Sequence, residues 1–178
     1  MATVEIATSD HADGICRVCT ASWREAYDGV LSEEYVEANV RVRYRPERVA
    51  DLTRESDATA GYLVALRDAN RGERGDASET VVGTVRDDRP EPGVGEVSDL
   101  YVHPNWQGEG VGSRLLAALT ERQRERGATE QRVYVFADHD DAVGFYESKG
   151  FEPDGRFSAA AVDGVDSDRE VLGLVREI

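Results

Sequence analysis

Between residues 96 and 119 a strand pattern, a glycine-rich joint and a helical face follow one another directly, and few folds accept that order. EVSDLYVH, 96–103, alternates as a strand and stops at Pro104. Val111, Leu115, Ala118 and Leu119 mark one face of a helix that runs to a Gly127 stop. Between them NWQGEGVGSRLL, 105–116, places glycines at 108, 110 and 112. Each glycine weakens a helix by roughly 1 kcal/mol. Three at a helix start therefore mean a sharp turn or a backbone that must come close to a ligand. The first helical turn leaves about four N–H groups without partners, and the helix dipole favours an anion there. The segment reads as a phosphate cradle. Glu109 is an acid where an anion site prefers none, so its side chain is expected to turn outward. Two known cradles fail on particular residues. A P-loop needs Gly-Lys, and the only lysine is Lys149. A G-x-G-x-x-G dinucleotide loop starting at Gly108 would need glycine where Ser113 stands.

The rest of the chain is mixed α/β. TVEIA, 3–7, is a first strand. A helix capped by Asp10 runs to about Tyr27, with Ile15, Val18, Cys19 and Trp23 as its apolar stripe. Ser32 caps a second helix, and a third lies around Pro46–Arg54. Strands are expected at 61–66, 79–87 and 132–136, with a charged loop over 67–78. A helix from about Asp140 to Lys149 ends before Gly150. AAAV and REVLGLVREI supply strand-like patterns near the end. With 178 residues and no long linker, 1–178 reads as one domain.

Three segments in order resemble the Gcn5-related N-acetyltransferase (GNAT) superfamily. Gln107-Gly108-Glu109-Gly110-Val111-Gly112 matches its R/Q-x-x-G-x-G/A signature. LYVHP, 100–104, is similar to the strand before that signature. AVGFYESKGF, 142–151, resembles its A-x-x-F-Y-E-x-x-G-F segment. SWREAYDGVLSEEY also resembles the N-terminal part of many members. The resemblance implies an α/β (α+β) fold with a mixed central sheet flanked by helices, its strands splayed around acetyl-CoA. It implies an acetyl-CoA-dependent transferase, and homodimers are common in the family. On that analogy Leu100 and Val102, either side of Tyr101, give main-chain bonds to the coenzyme. The amides of Gln107, Gly108, Glu109, Gly110, Val111, Gly112 and Ser113 hold the pyrophosphate. His139 stands where the family often has an asparagine that contacts the coenzyme.

Acetyl transfer to an amine needs a base for the amine, polarisation of the carbonyl and a proton for the leaving thiolate. No Ser-His-Asp or Cys-His arrangement suggests a covalent intermediate, so direct attack is the simpler chemistry. Glu96 resembles the catalytic glutamate of histone-type members, eleven residues before Gln107. Ideal alternation puts it on one face with Ser98 and Leu100, opposite Asp99. Asp99, or water alone, is the other base to weigh. Tyr146, in F-Y-E, resembles the family's usual acid. Its bland reading is a core tyrosine. A non-catalytic acyl-CoA sensor would share the fold and the coenzyme but not the chemistry. The acceptor is a primary amine on a small molecule or on a protein N-terminus or lysine.

Composition narrows partners. Asp plus Glu total 36 against 21 Lys plus Arg, a net charge of −15 spread along the whole chain. That argues against nucleic acid, which wants a basic stripe, and suits a surface solvated in concentrated salt. Acids such as Glu33 and Glu34 would favour a cationic acceptor if they lined the cleft. No run of about 18 apolar residues suggests a membrane span, and MATVEIATSD lacks the features of a signal peptide. A cytoplasmic protein is expected. Cys16 and Cys19 share a helix face without a second pair to complete a zinc site, so they are expected to be buried and inert, and no metal is expected.

Overall fold

The computed structural model describes residues 1–54, 61–68 and 79–178. Seven strands form one mixed sheet in the order β1-β2-β3-β4-β5-β7-β6. They are β1 (Thr3–Ile6), β2 (Gly61–Asp68), β3 (Glu79–Asp88), β4 (Val94–Val102), β5 (Glu130–Phe136), β6 (Glu152–Ser158) and β7 (Glu170–Glu177). β4 and β5 are parallel; every other neighbouring pair is antiparallel. The helices are α1 (Ala12–Ala26), α2 (Glu33–Arg43), α3 (Pro46–Arg54), α4 (Val111–Glu125) and α5 (Asp140–Ser148).

Residues 62–66 of β2 and 81–85 of β3 are buried on both sides, so these stretches read as nearly continuous apolar runs. In β2, Tyr62, Val64 and Leu66 join a cluster with α1, α2 and α3, while Leu63 and Ala65 join one with α4 and α5. Helices approach both faces of β3 closely. A Cβ on Gly14 of α1 would meet Val81, and one on Gly83 would meet Leu115 and Val111 of α4 at 2.9 Å.

A buried polar network fastens α4 to the sheet. Asp87 of β3 is fully buried and accepts from Gln123 Nε2 at 2.8 Å and from Arg126 at 2.9 Å, with Arg122 3.5 Å away. Gln123 Oε1 accepts from Gln131 of β5 at 2.7 Å, and Gln131 accepts from Arg176 of β7 at 2.9 Å. Gly95 lies under Gln123, leaving no room for a side chain there.

Several local expectations shift. Asp10 does not cap α1; it sits inside a 3-10 turn, Ser9–His11, whose cap is Thr8. Arg67 and Asp68 extend β2, and residues 69–78 of the expected loop lie outside the described residues. The AAAV segment is not a strand. The strand is EPDGRFS, exposed along its length and paired only with β7. An edge strand with no face in the core needs no apolar alternation, and tolerates proline and glycine. Cys16 and Cys19 are free and buried. Burial pushes the Cys16 thiol up to about 11 and Cys19 well above its ordinary value, so both stay protonated. Among the described residues, no helix is long and apolar enough to cross a membrane.

Candidate active site

The site is built where β4 leaves β5. Their pairing runs from Val94↔Glu130 to Val97↔Val133 and goes no further. Beyond Val97 the β5 side of β4 lies open. A bulge marks the departure: Arg86 faces Ser98 and Thr84 faces Tyr101, so two steps along β3 span three along β4. Asp99 takes up the extra length at φ 47°, a left-handed conformation that asparagine and aspartate tolerate better than most residues.

The bulge corrects the ideal alternation. Asp99 does not lie opposite Glu96; it turns to the same face, toward α1, α2 and α3. There it accepts from Tyr44 at 3.0 Å and Tyr62 at 2.7 Å, with Arg86 Nε 3.1 Å away. Leu100 turns to the other face and packs with the α4 cluster. Past the bulge, His103 N–H donates to Val82 on β3. Alternation then points the Tyr101 main chain at β3 and those of Leu100 and Val102 at the opening. The Tyr101 ring packs edge-on to Tyr44, 6.4 Å away. The Val102 carbonyl already accepts from Ser22 at 3.0 Å and Gln107 Nε2 at 3.3 Å.

At the end of β4 the chain makes a 3-10 turn, Pro104–Trp106, and enters α4 through glycine. Gly108 and Gly110 have φ of 77° and 76°, and an added Cβ on Gly108 would meet nothing within 4 Å. Gly110 is the N-cap of α4, no side chain caps its first turn, and that turn, Val111, Gly112 and Ser113, carries no acid. Free amides at an open helix start fit an anionic group. Glu109 is turned away and neutralised: Arg67 of β2 binds its carboxylate at 2.6 Å and stacks over Trp106 at 4.1 Å. Gly110→Val is expected to raise the dissociation constant for coenzyme A about tenfold or more. The left-handed conformation costs an L-residue roughly 1–2 kcal/mol and the new side chain crowds the cradle. Calorimetry would measure it, and an unchanged affinity would rule the cradle out.

Tyr146, on α5, is buried among Val97, Val133 and Phe151. Its hydroxyl makes no hydrogen bond within the described residues. Burial, and then the Tyr27 phenol from the other side of the sheet, push its pKa well above the ordinary value of 10. Glu96 is half-buried and accepts from Ser98 at 3.2 Å. Burial, and then Asp88, raise its pKa from the ordinary carboxylate value. His139 is the N-cap of α5 beside Tyr27, ring centroids 5.4 Å apart. Its Nδ1 is buried without a partner, and burial lowers its pKa, which favours the neutral ring. A buried polar atom left unsatisfied calls for a partner that the protein itself does not supply.

A cleft of about 340 Å³ opens on the Asp99 side, between α2, α3 and residues 161–163. Arg43, Arg48, Arg86, Tyr62 and Asp99 line it. The sequence reading missed Tyr44, Tyr62 and these arginines. Its one available signal was an aspartate inside an apolar strand, where aspartate is disfavoured unless a bulge houses it.

A strand pair opened at a bulge, with an uncapped glycine helix start at one end and Tyr146 in the core on the α4 side, is the candidate acyl-transferase site. Residues 21–151 match the model of the acetyltransferase (GNAT) family, and the chain belongs to that family. It is an acetyl-CoA-dependent acetyltransferase. Spermidine N(1)-acetyltransferase of Thermoplasma acidophilum is 25% identical over 140 residues, 78% of this chain and 80% of the relative. Mycothiol acetyltransferase of Brachybacterium faecium is 38% identical over 98 residues, 53% of this chain but only 27% of the relative. Among solved structures, the PaiA N-acetyltransferase of T. acidophilum in complex with coenzyme A superposes with a TM-score of 0.80 at 21% identity, covering 100% of this chain and 99% of that one.

Proposed function

We propose that this chain acetylates a primary amine by direct attack in a ternary complex, with Glu96 as base and Tyr146 as acid. Acetyl-CoA supplies an activated acyl group. The amides at 108–113, the Leu100 main chain, the Val102 N–H and the His139 ring are the groups that would hold it; the Gln107 N–H already donates to the Pro104 carbonyl, and the Val102 carbonyl is taken by Ser22 and Gln107. Glu96 takes the proton that the amine loses as its nitrogen bonds to the acetyl carbon, through a water where reach demands it. Tyr146 gives its proton to the thiolate released when the carbon–sulfur bond breaks. The observation that carries this reading is Tyr146 itself, a tyrosine packed in the core on the α4 side of the sheet whose hydroxyl has no hydrogen-bond partner among the described residues. Asp99 is the weaker base because Tyr44 and Tyr62 already engage both of its oxygens. A location in the cytoplasm of a salt-rich cell accords with the −15 charge.

Release of free thiol from acetyl-CoA in the presence of amines tests the function. A coenzyme-binding sensor would bind and release none. Glu96→Gln is expected to lower kcat roughly 100-fold. In the parent enzyme the rate should fall as pH drops through the raised pKa of Glu96, because only the ionised form accepts a proton. That acidic limb should vanish in Glu96→Gln. The fold holds the Glu96 proton to higher pH than the unfolded chain does. Above the unfolded pKa its ionisation therefore costs stability, and the glutamine variant should melt no lower than the parent at pH 7. An intact acidic limb in the variant would remove Glu96 from the mechanism.

A further inference from the structure

The cleft beside Asp99 carries a charge pattern that the chain as a whole does not. Acids outnumber bases by 36 to 21, yet arginines without an ion pair among the described residues occur elsewhere too, Arg45 and Arg89 among them; what marks the cleft is that two such arginines, Arg43 and Arg48, line it together. Arg41 pairs with Asp163, and Arg86 reaches Asp88 at 2.9 Å and Asp99 at 3.1 Å. Arg43 and Arg48 line the same cleft, and neither has an ion-pair partner among the described residues. Helix stability does not explain Arg48. It is the third residue of α3, at the end where the dipole favours anions and disfavours cations. Glu33 and Glu34, which would suit a cationic acceptor, sit exposed in the first turn of α2 and do not line this cleft.

Resting on the acetyltransferase reading, we infer that the acceptor is a small amine carrying an acidic group, a carboxylate or a phosphonate, seated in the cleft of Arg43, Arg48, Tyr62 and Asp99. The cleft has two ends of opposite sign. Asp99, next to Leu100 at the opening of β4, has both oxygens held by Tyr44 and Tyr62, so it meets the ammonium end of the incoming molecule as a nearby negative charge and not as a free acceptor. Arg43 and Arg48, on the rim, face its anion. Guanidinium groups bind carboxylate and phosphonate oxygens with paired, charge-assisted hydrogen bonds. A volume of about 340 Å³ suits a small molecule. A polyamine would place its second ammonium against the two arginines, where like charges repel.

Four amines of matched length and similar basicity test this in the enzyme: 4-aminobutyrate, 3-aminopropylphosphonate, n-butylamine and putrescine. Thiol release at one ionic strength gives kcat/KM for each. The two acidic amines are expected to exceed n-butylamine by about tenfold or more, with putrescine the poorest. The advantage should shrink as salt is raised. In the double variant Arg43→Glu/Arg48→Glu, both sites being exposed, the order should invert in favour of putrescine. A parent enzyme that prefers putrescine overturns the inference and leaves acetyl transfer standing. An unchanged order in the double variant also overturns it. Coenzyme binding by calorimetry without thiol release from any amine overturns acetyl transfer itself.

Discussion

Tyr146→Phe is expected to lower kcat about 100-fold while Tm and coenzyme affinity hardly change. The two halves of that result separate the catalytic tyrosine from a core tyrosine. A core phenol is kept for its ring and for a hydrogen bond that satisfies its oxygen. Here the ring survives the substitution and no internal hydrogen bond is lost, since the hydroxyl has no partner in the described protein. Removing a hydroxyl that makes no hydrogen bond within the fold costs stability little. Burial keeps the phenol protonated well above pH 10, so throughout an assay it holds a proton to give. A thiolate would otherwise leave unprotonated, and the rate should fall accordingly. Single-turnover thiol release and a melting curve check both halves. A large fall in Tm with unchanged kcat would return Tyr146 to the core.

Asp87→Ala is expected to be the most damaging change to stability, about 3–5 kcal/mol. At this chain length that is a fall in Tm of roughly 10 °C. The magnitude follows from what the substitution leaves behind. Gln123 is buried and loses its acceptor, and Arg122 and Arg126, mostly covered, lose their counter-charge. Through Gln123 the damage reaches Gln131 and Arg176, because the amides hand one another their hydrogen bonds across α4, β5 and β7. Asp87→Asn keeps an acceptor for Gln123 and loses only the charge, so it should cost less. Urea denaturation of the two variants measures the difference. A loss below about 1 kcal/mol for the alanine would mean that the network contributes almost nothing net.

The glycine helix start was legible before the structure because it depends on local backbone demands. Gly108 and Gly110 are needed where φ is positive, and a helix beginning at Val111 follows from the apolar spacing. Glu109 was legible only as an oddity. Arg67, which resolves it, comes from a strand 42 residues away, and no local pattern announces that pair. β6 was misplaced because an exposed edge strand lacks the alternation by which strands are read. The face assignment of Asp99 failed for a related reason. Alternation assumes an unbroken pleat, and a single extra residue at the bulge turns the next side chain to the other side.

Read alone, the sequence determines the order of elements, the glycine helix start and the family motifs around Gln107 and Tyr146, because each rests on residues within a few turns of one another. Only the tertiary structure decided where β4 parts from β5 and which face Asp99 takes. It also decided that Tyr44 and Tyr62 occupy Asp99 and that Arg43 and Arg48 meet over one cleft. Those facts depend on contacts between segments tens of residues apart. Their geometry is set by how helices seat on both faces of a bulged sheet, which no periodicity along the chain records.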